Sequence, residues 1–227
     1  MRFSVFNVDY PWYLKTFSER GNNRAPKYPV MTKERGMNMP MQDVMAKDCY
    51  VFMWTSGPFV KQAFEICEAW GLEYSTYPFV WIKPTRRTAS QGKFFFQIED
   101  DENWEKGNGY VTMANAEIVL GFKRGRPERI NSGVRQLIIE PKLEQVRSRN
   151  TGKPQGQLGT GVRQLIVHPR MEHSRKPDAA HQRIEQLYQG PYCELFARRP
   201  YPGWVCVGNQ LTKRDIYDDL RLLAEAE

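Results

Sequence analysis

Apolar and polar positions alternate along the chain in blocks that are typical of a strand-and-helix protein. Short runs rich in aromatic and β-branched residues, each bounded by Pro, Gly or polar residues, predict buried strands. These runs are Phe3 to Val8, Cys49 to Thr55, Tyr77 to Ile82, Glu117 to Phe122, Tyr192 to Ala197 and Trp204 to Val207. Helical spacing predicts one helix from Gly57 through Trp70 and another from Lys176-Pro177 to about Leu187. The pattern predicts an α/β fold with a mostly parallel sheet flanked by helices, which binds ligands beyond the carboxyl ends of its strands.

Two segments lack such a simple pattern. Residues 13 to 40 are polar with scattered Pro and Gly, which predicts a long loop. Residues 133–144 (GVRQLIIEPKLE) recur as residues 161–172 (GVRQLIVHPRME), an internal repeat offset by 28 residues. Two copies do not make a solenoid. We expect a duplicated or inserted basic segment over residues 133–160, with one copy in the original structural place and the other an exposed arm or a second edge strand.

The composition predicts one globular domain over residues 1–227. The 227 residues are 41% hydrophobic and 13% aromatic, with a mean hydropathy of −0.64. No run is apolar and long enough to cross a membrane, and the pattern of a signal peptide is absent, so we expect a cytoplasmic protein. The four cysteines lie far apart in apolar surroundings, which favours buried free thiols over a metal site.

The formal charge of +7 is concentrated in one stretch. From Lys123 to Arg170 there are eleven Lys and Arg but only three Glu, a local excess of +8. A second basic cluster, from Lys83 to Lys93, is roughly balanced by the acidic run from Glu99 to Glu102. Concentrated positive charge favours a polyanion such as nucleic acid, although a solvated basic loop would have the same composition.

The first predicted strand ends in Asp9-Tyr10-Pro11-Trp12. A carboxylate and the adjacent Tyr10 carbonyl can accept two hydrogen bonds from one amino group, Pro11 fixes the backbone, and Trp12 offers a flat face to a ring. Such a group suits the exocyclic amine of a planar base. The alternative is a strand that ends in a polar turn with a packed tryptophan.

These residues resemble the Asp-Pro-Pro-Trp motif of the MT-A70 family, the N6-adenine methyltransferases, with Tyr10 in the place of the first proline. Further features that resemble the family follow in order along nearly the whole chain. They are Tyr28 and Met31, the strand and helix from Val51 to Gly71, Trp81-Ile82-Lys83, Gly107 to Tyr110 ahead of Glu117, residues 173–178 (HSRKPD), Glu194 to Arg198, Gly203-Trp204 and Gly208-Asn209-Gln210.

The resemblance implies a Rossmann-like methyltransferase fold and S-adenosylmethionine as methyl donor, with S-adenosylhomocysteine as product and no metal. It places Ser174 and Lys176 by the methionine moiety or ribose of the donor, and Glu194 and Leu195 at the end of a cofactor-binding strand. Asn209 and Gln210 would meet the ribose and adenine. Long relatives supply an Asp-Ile pair ahead of the motif; here Asp215-Ile216 would supply it from the C-terminal side, in a permuted motif order.

The implied reaction is direct transfer to the adenine amine, for which Asp9, Tyr10, Pro11 and Trp12 are the catalytic candidates. Asp9 and the Tyr10 carbonyl would hold the amine hydrogens and stabilise the positive charge that develops on nitrogen. The polar segments after predicted strands would contact the substrate. The candidate substrate residues are Tyr28, Lys83, Arg86, Arg87 and Glu117.

Three questions stay open at the level of sequence. The chain resembles bacterial and phage members, which favours DNA over RNA, and we expect a monomer or homodimer, with a partner subunit as a further option. An inactive relative that binds nucleic acid or a partner methyltransferase is the main alternative, because Tyr10 departs from the motif. A protein-glutamine methyltransferase is a weaker one, since enzymes of that kind carry Asn in the position of Asp9.

Overall fold

The computed structural model describes residues 1–13, 29–82, 116–131, 165–167 and 176–226, and for 165–167 the backbone alone. The chain forms two compact units. Unit 1 comprises residues 1–77, 119–128 and 189–227, and unit 2 comprises residues 78–118 and 129–188. The single domain expected over residues 1–227 stays a prediction.

The described secondary structure alternates strands and helices along the chain. The strands are β1 (Phe3–Val8), β2 (Met45–Thr55), β3 (Glu73–Ile82), β4 (Ala116–Arg124), β5 (Leu165–Val167), β6 (Tyr192–Leu195) and β7 (Trp204–Val207). The helices are α1 (Lys33–Met37), α2 (Met41–Val44), α3 (Val60–Ala69), α4 (Asp178–Leu187), α5 (Asn209–Thr212) and α6 (Ile216–Glu225), and a 3-10 turn (Gly57–Phe59) precedes α3.

Unit 1 is built on a sheet in which β1 is central. Its strand order is β3-β4-β2-β1-β6-β7, and β1 runs parallel to both β2 and β6, as β6 does to β7. Four residues of β1, Phe3, Val5, Phe6 and Val8, are almost fully buried. A strand covered on both faces needs such a nearly continuous apolar run, which explains why the sequence pattern identifies it.

The helices of unit 1 bury one apolar side each. In α3 the buried residues are Ala63, Ile66 and Cys67, at helical spacing, and in α6 they include Ile216 and Leu220. Helix α1 contacts α3, and α2 contacts α6. None of the helices in the described ranges is long and apolar enough to cross a membrane.

In unit 2, β5 pairs in parallel with the end of β3, where Val80 lies opposite Leu165 and Ile82 opposite Val167. Helix α4 buries Ala180, Ile184 and Leu187. The second copy of the repeat therefore contributes a strand, whereas the first copy lies outside the described residues. The predicted fold class, an α/β Rossmann-like methyltransferase fold with a mostly parallel sheet, is confirmed.

The prediction of a loop over residues 13 to 40 is wrong at residues 33–37, which form α1; residues 14–28 lie outside the described ranges. Thr32 begins this helix, because its side-chain oxygen accepts a hydrogen bond from the Arg35 amide. Only Gly36 of α1 is buried, so the helix leaves no apolar period in the sequence. The short helix α2 and the C-terminal helices α5 and α6 were also missed.

The four cysteines are free thiols, as predicted. Cys49, Cys67 and Cys193 are buried, and Cys206 is half-buried. Burial raises the pKa of Cys49 and that of Cys206 to about 11, so these thiols stay protonated at neutral pH and pack as small apolar groups.

Candidate active site

The carboxyl ends of four parallel strands meet at one edge of the sheet in unit 1. Val8, the last residue of β1, lies opposite Met53 of β2 and Leu195 of β6, and Leu195 lies opposite Val207 of β7. Asp9, the residue directly after β1, is half-buried. The predicted position of Asp9 at the carboxyl end of a buried strand is therefore confirmed.

A buried polar network lies directly below this edge. The Asn7 side-chain amide donates to Glu194 (Nδ2 to Oε1, 3.3 Å), and its oxygen accepts from the Trp54 indole (2.9 Å). Cys206 lies opposite Glu194, with its Sγ 3.8 Å from Oε2. Because Asn7 is fully buried and Glu194 nearly so, the network fixes β1, β2 and β6 relative to one another just before they end.

The motif itself forms a tight turn. The Trp12 amide donates to the Tyr10 carbonyl (2.9 Å), the oxygen that the sequence assigns to a substrate amine. A carbonyl oxygen has two lone pairs. The bond from the Trp12 amide uses one lone pair of the Tyr10 carbonyl oxygen, and the second can accept a further hydrogen bond. The Pro11 carbonyl accepts from the Met31 amide (2.9 Å), which brings the chain back to the motif.

Trp12 is half-buried and held at its edge and on one face. Its indole N–H donates to the Trp54 carbonyl (3.2 Å), and its ring stacks on Phe59, with centroids 5.2 Å apart and planes inclined by only 9°. The Tyr10 ring lies 4.6 Å from the Trp12 ring at a tilt of 47°. The strand ends thus carry an aromatic platform, to which β2 contributes through Phe59 in the turn that follows it.

The ends of β6 and β7 approach each other closely at Gly208. The Ala197 amide donates to the Val207 carbonyl (2.9 Å), and a Cβ at Gly208 would lie 2.7–2.8 Å from the Phe196-Ala197 backbone. Gly208 also has a positive φ of 156°, so only glycine fits here. Asn209 and Gln210 follow at once in α5 and so lie at the carboxyl edge of the sheet, while their contact with the donor stays a prediction.

Asp215 and Ile216 have structural roles at the start of α6. The Asp215 carboxylate accepts a hydrogen bond from the Tyr217 amide (3.0 Å) and pairs with Arg35, while Ile216 is buried. The bond from the Tyr217 amide and then the neighbouring Arg35 hold the pKa of Asp215 below its ordinary value. These contacts account for both residues without a ligand, and the permuted donor contact stays a prediction.

Unit 2 brings together two candidate residues that the sequence assigns to different ligands. The Lys176 ammonium lies 3.1 Å from the Glu117 carboxylate, with side-chain exposures of 8% and 20%. A pair this buried is sensitive to the loss of either partner, because the remaining charge would stay in a poor solvent environment. Lys176, expected at the donor, and Glu117, expected at the substrate, therefore belong to one cluster.

Five candidates lie outside the described residues: Tyr28, Lys83, Arg86, Arg87 and Ser174. Conversely, sequence reasoning missed Asn7, Phe59 and Arg35. Asn7 could have been noticed as a polar residue near the end of a mostly apolar strand run, and Phe59 as an aromatic residue four positions after a predicted strand. Within the described ranges, no group of three or more His, Cys, Asp or Glu is arranged to hold a metal ion.

Comparison with known proteins gives consistent matches. A family model described as MT-A70 matches residues 122–210. The type II methyltransferase M.MunI of a Mycoplasma species is 28% identical over 181 residues, covering 78% of this chain and 57% of that protein. The human N(6)-adenosine-methyltransferase catalytic subunit METTL3 is 23% identical over 215 residues, covering 92% of this chain and 28% of that protein.

The mouse N(6)-adenine-specific methyltransferase METTL4 is 24% identical over 218 residues, covering 93% of this chain and 38% of that protein. The chain thus spans less than two thirds of the length of each of these relatives. All three matches extend well beyond the segment that the family model covers, because each spans 78% or more of this chain.

Proposed function

Because the chain belongs to the MT-A70 family, we propose that it transfers a methyl group from S-adenosylmethionine to the exocyclic amine of adenine in nucleic acid. The observation that carries the proposal is Asp9, a carboxylate at the carboxyl end of the central strand, followed by a turn with an aromatic platform. The relatives METTL3 and METTL4, which are named for the N6 position of adenosine and of adenine, support this class of substrate.

The proposed role of the motif is to hold and polarise the amine. The Asp9 carboxylate accepts one amine hydrogen, and the Tyr10 carbonyl accepts the second beside its bond to the Trp12 amide. Positive charge develops on the amine nitrogen during transfer, so a fixed carboxylate stabilises the transition state more than the ground state. Trp12 offers its ring to the base.

The donor supplies an electrophilic methyl group on a sulfonium. The side chains of the candidate residues fit the functional groups of the donor. A lysine ammonium suits its carboxylate, carboxylates suit its ammonium and hydroxyls, and amides suit its hydroxyls and ring nitrogens. We assign Ser174 and Lys176 to the methionine moiety or ribose, and Asn209 and Gln210 to the ribose and adenine. We also assign Glu194, Leu195, Asp215 and Ile216 to the donor. Glu194 orders this edge of the sheet through Asn7.

The proposed substrate is DNA rather than RNA, on the resemblance to bacterial and phage members of the family. An adenine inside a duplex cannot reach Asp9 unless it is flipped out, whereas a single strand avoids that cost. The proposed substrate contacts are Tyr28, Lys83, Arg86, Arg87 and Glu117. A cytoplasmic location belongs to the same proposal.

The test combines methyl transfer with donor binding. Wild type, Asp9→Ala and Asp9→Asn are incubated with single-stranded DNA, duplex DNA and RNA, and N6-methyladenosine or its deoxy form is measured by nucleoside mass spectrometry. We expect Asp9→Ala to lose at least about a hundredfold in kcat, the effect of removing one group that stabilises transition-state charge. Calorimetry with S-adenosylmethionine should show nearly unchanged binding in both variants.

Two results would count against the proposal. Full turnover in Asp9→Ala would show that the carboxylate is not needed. A wild-type protein that binds nucleic acid but neither binds the donor nor forms methyladenine would be an inactive subunit instead. Asn209→Ala is the matched control, since Asn209 is exposed and its loss should weaken donor binding while Asp9→Ala does not.

A further inference from the structure

Tyr10 replaces a proline of the family motif, and its side chain has contacts that a proline could not make. After Trp12 the chain returns to the motif at Met31, whose amide donates to the Pro11 carbonyl (2.9 Å) and whose backbone forms a parallel bridge with Trp12. We call residues 29–37, which include α1, the return segment. Backbone contacts alone therefore fix only the beginning of the return segment.

Side chains hold the rest: the Trp70 indole donates to the Gly36 carbonyl (2.9 Å), the Tyr217 hydroxyl donates to the Arg35 carbonyl (2.6 Å), and Tyr10 holds the segment from the side of the motif. Tyr10 is almost fully buried, with 2% exposure, and its hydroxyl donates to the Thr32 carbonyl (2.7 Å). Its ring contacts Phe196 edge-on, with centroids 5.3 Å apart. One side chain thereby joins the start of α1 to the end of β6, at the edge where the motif lies.

Gly36 shows how closely α1 sits on this ring. A Cβ at Gly36 would lie 2.3 Å from the Tyr10 hydroxyl oxygen and 2.7–2.8 Å from Cζ and Cε2. Alanine favours a helix more than glycine does, so a glycine within α1 is explained by the space that Tyr10 takes. Tyr10 and Gly36 therefore form a matched pair.

We propose that Tyr10 is a positioning residue, whose side chain holds the return segment against the Pro11-Trp12 turn and so sets the orientation of Trp12 toward the target base. The proposal rests on the proposed function, because it assigns Trp12 to the nucleic acid and not to the methyl donor. Burial raises the pKa of the Tyr10 phenol, which keeps the hydroxyl protonated as a donor to Thr32 at neutral pH.

The first test separates the two substrates. Tyr10→Phe keeps the ring but loses the bond to Thr32, and we expect the KM for nucleic acid to rise about fivefold, the factor that one ordinary hydrogen bond contributes. Tyr10→Pro, which restores the family motif, should have a larger effect. The KM for S-adenosylmethionine should stay within about twofold in both, because the substitutions lie outside the residues assigned to the donor.

The second test uses the matched pair. Gly36→Ala should impair nucleic-acid kinetics in the wild-type background, where its methyl group overlaps Tyr10, and much less in the Tyr10→Pro background. Tyr74→Phe is the control for loss of a phenol, since the Tyr74 ring packs on Phe64 and Phe122 elsewhere in unit 1. If Tyr10→Phe and wild type unfold at the same thermal midpoint, the substitution acts locally and not through the stability of the whole protein.

Hydrogen exchange reads out the return segment without any activity. The Met31 amide donates to the Pro11 carbonyl, and the Gly36 amide donates to the Thr32 carbonyl. Both amides should exchange faster in Tyr10→Phe than in wild type. If wild type methylates no nucleic acid, the proposed function fails while exchange still tests the role of Tyr10. Unchanged exchange, or an unchanged nucleic-acid KM in an active Tyr10→Pro, would overturn the inference.

Discussion

Trp12 shows how one side chain combines packing with a proposed contact to the substrate. Its N–H donates to the Trp54 carbonyl, Phe59 covers one face and the Tyr10 ring lies 4.6 Å away, so these contacts together set its orientation before any base arrives. A base that stacks on this ring would extend an existing aromatic stack. Phe59 then acts as the support of Trp12, and its loss should matter less than the loss of Trp12.

We expect Trp12→Ala to raise the KM for nucleic acid about five- to a hundredfold, because base stacking contributes on the order of 1–3 kcal/mol. Phe59→Ala should raise it less, and Trp12→Phe should lie between the two because it keeps an aromatic face. Steady-state kinetics on single-stranded oligonucleotides measures all three. A Trp12→Ala variant with wild-type KM would show that Trp12 only packs.

At this scale the sequence predicted the position of Asp9, because an apolar run followed by Asp, Pro and Trp marks a strand end, whereas its proposed role came from the family resemblance. The partners of Asn7 could not be found in this way, since Glu194 lies 187 residues further along the chain and meets it only through strand pairing. The role of Tyr10 depends in the same way on Gly36 and Phe196.

Among the elements, helix α6 depends on Asp215. The Asp215 carboxylate caps the helix through the Tyr217 amide, and its pair with Arg35 joins α6 to α1. The Tyr217 hydroxyl adds a bond to the Arg35 carbonyl (2.6 Å). The same residue is proposed to contact the donor, so variants must separate the cap from the charge.

Asp215→Ala should lower the free energy of unfolding by about 1 kcal/mol, the usual contribution of an N-cap. Asp215→Asn should lower the free energy of unfolding less, because Asn also caps helices. A smaller loss should remain, since Asn cannot form the ion pair with Arg35. Thermal unfolding of both variants checks the order. Donor affinity, measured by calorimetry, should fall in both if Asp215 contacts the donor; unchanged affinity in Asp215→Ala would remove that assignment.

The sign of the pH dependence follows from the lowered pKa of Asp215. The unfolded state takes up the proton at higher pH than the folded state does. The stability that Asp215 contributes is therefore present above its ordinary pKa, near 4, and is lost as the pH falls through the lower folded value. Asp215→Asn should show less of this acid destabilisation than wild type.

Strands β1 and β7 were predicted with their observed bounds, because neither has an exposed residue along its length. Strand β3 was predicted too short because residues 73–77 are exposed and mixed in character, so the apolar run marks only its buried part. Strand β2 begins at Met45, four residues before its predicted start at Cys49. The reason is the same, since Lys47 and Asp48 are exposed. Periodicity detects burial, and the exposed ends of elements are fixed by pairing instead.

At the scale of the whole molecule, the distribution of charge is known mainly from the sequence, because most of the basic stretch lies outside the described residues. The net charge is +7, and most of the excess lies from Lys123 to Arg170, of which residues 132–164 and 168–170 are outside the described ranges. If this stretch contacts phosphates, each contact releases counterions and adds about 0.7 to the logarithmic salt slope for single strands, or 0.9 for duplex DNA.

We therefore expect the affinity for nucleic acid to fall steeply between about 50 and 200 mM salt. Replacing Arg147 and Arg149 by Gln should reduce the salt slope by up to about 1.4 on a single strand, if both contact phosphate. The matched control removes two exposed cations elsewhere, Lys61→Gln with Arg221→Gln, whose side chains are 88% and 70% exposed. The net charge changes equally in both double variants. A slope that falls only in the Arg147 and Arg149 variant would place the phosphate contact in the basic stretch. Equal slopes in the two variants would assign the salt effect to net charge alone.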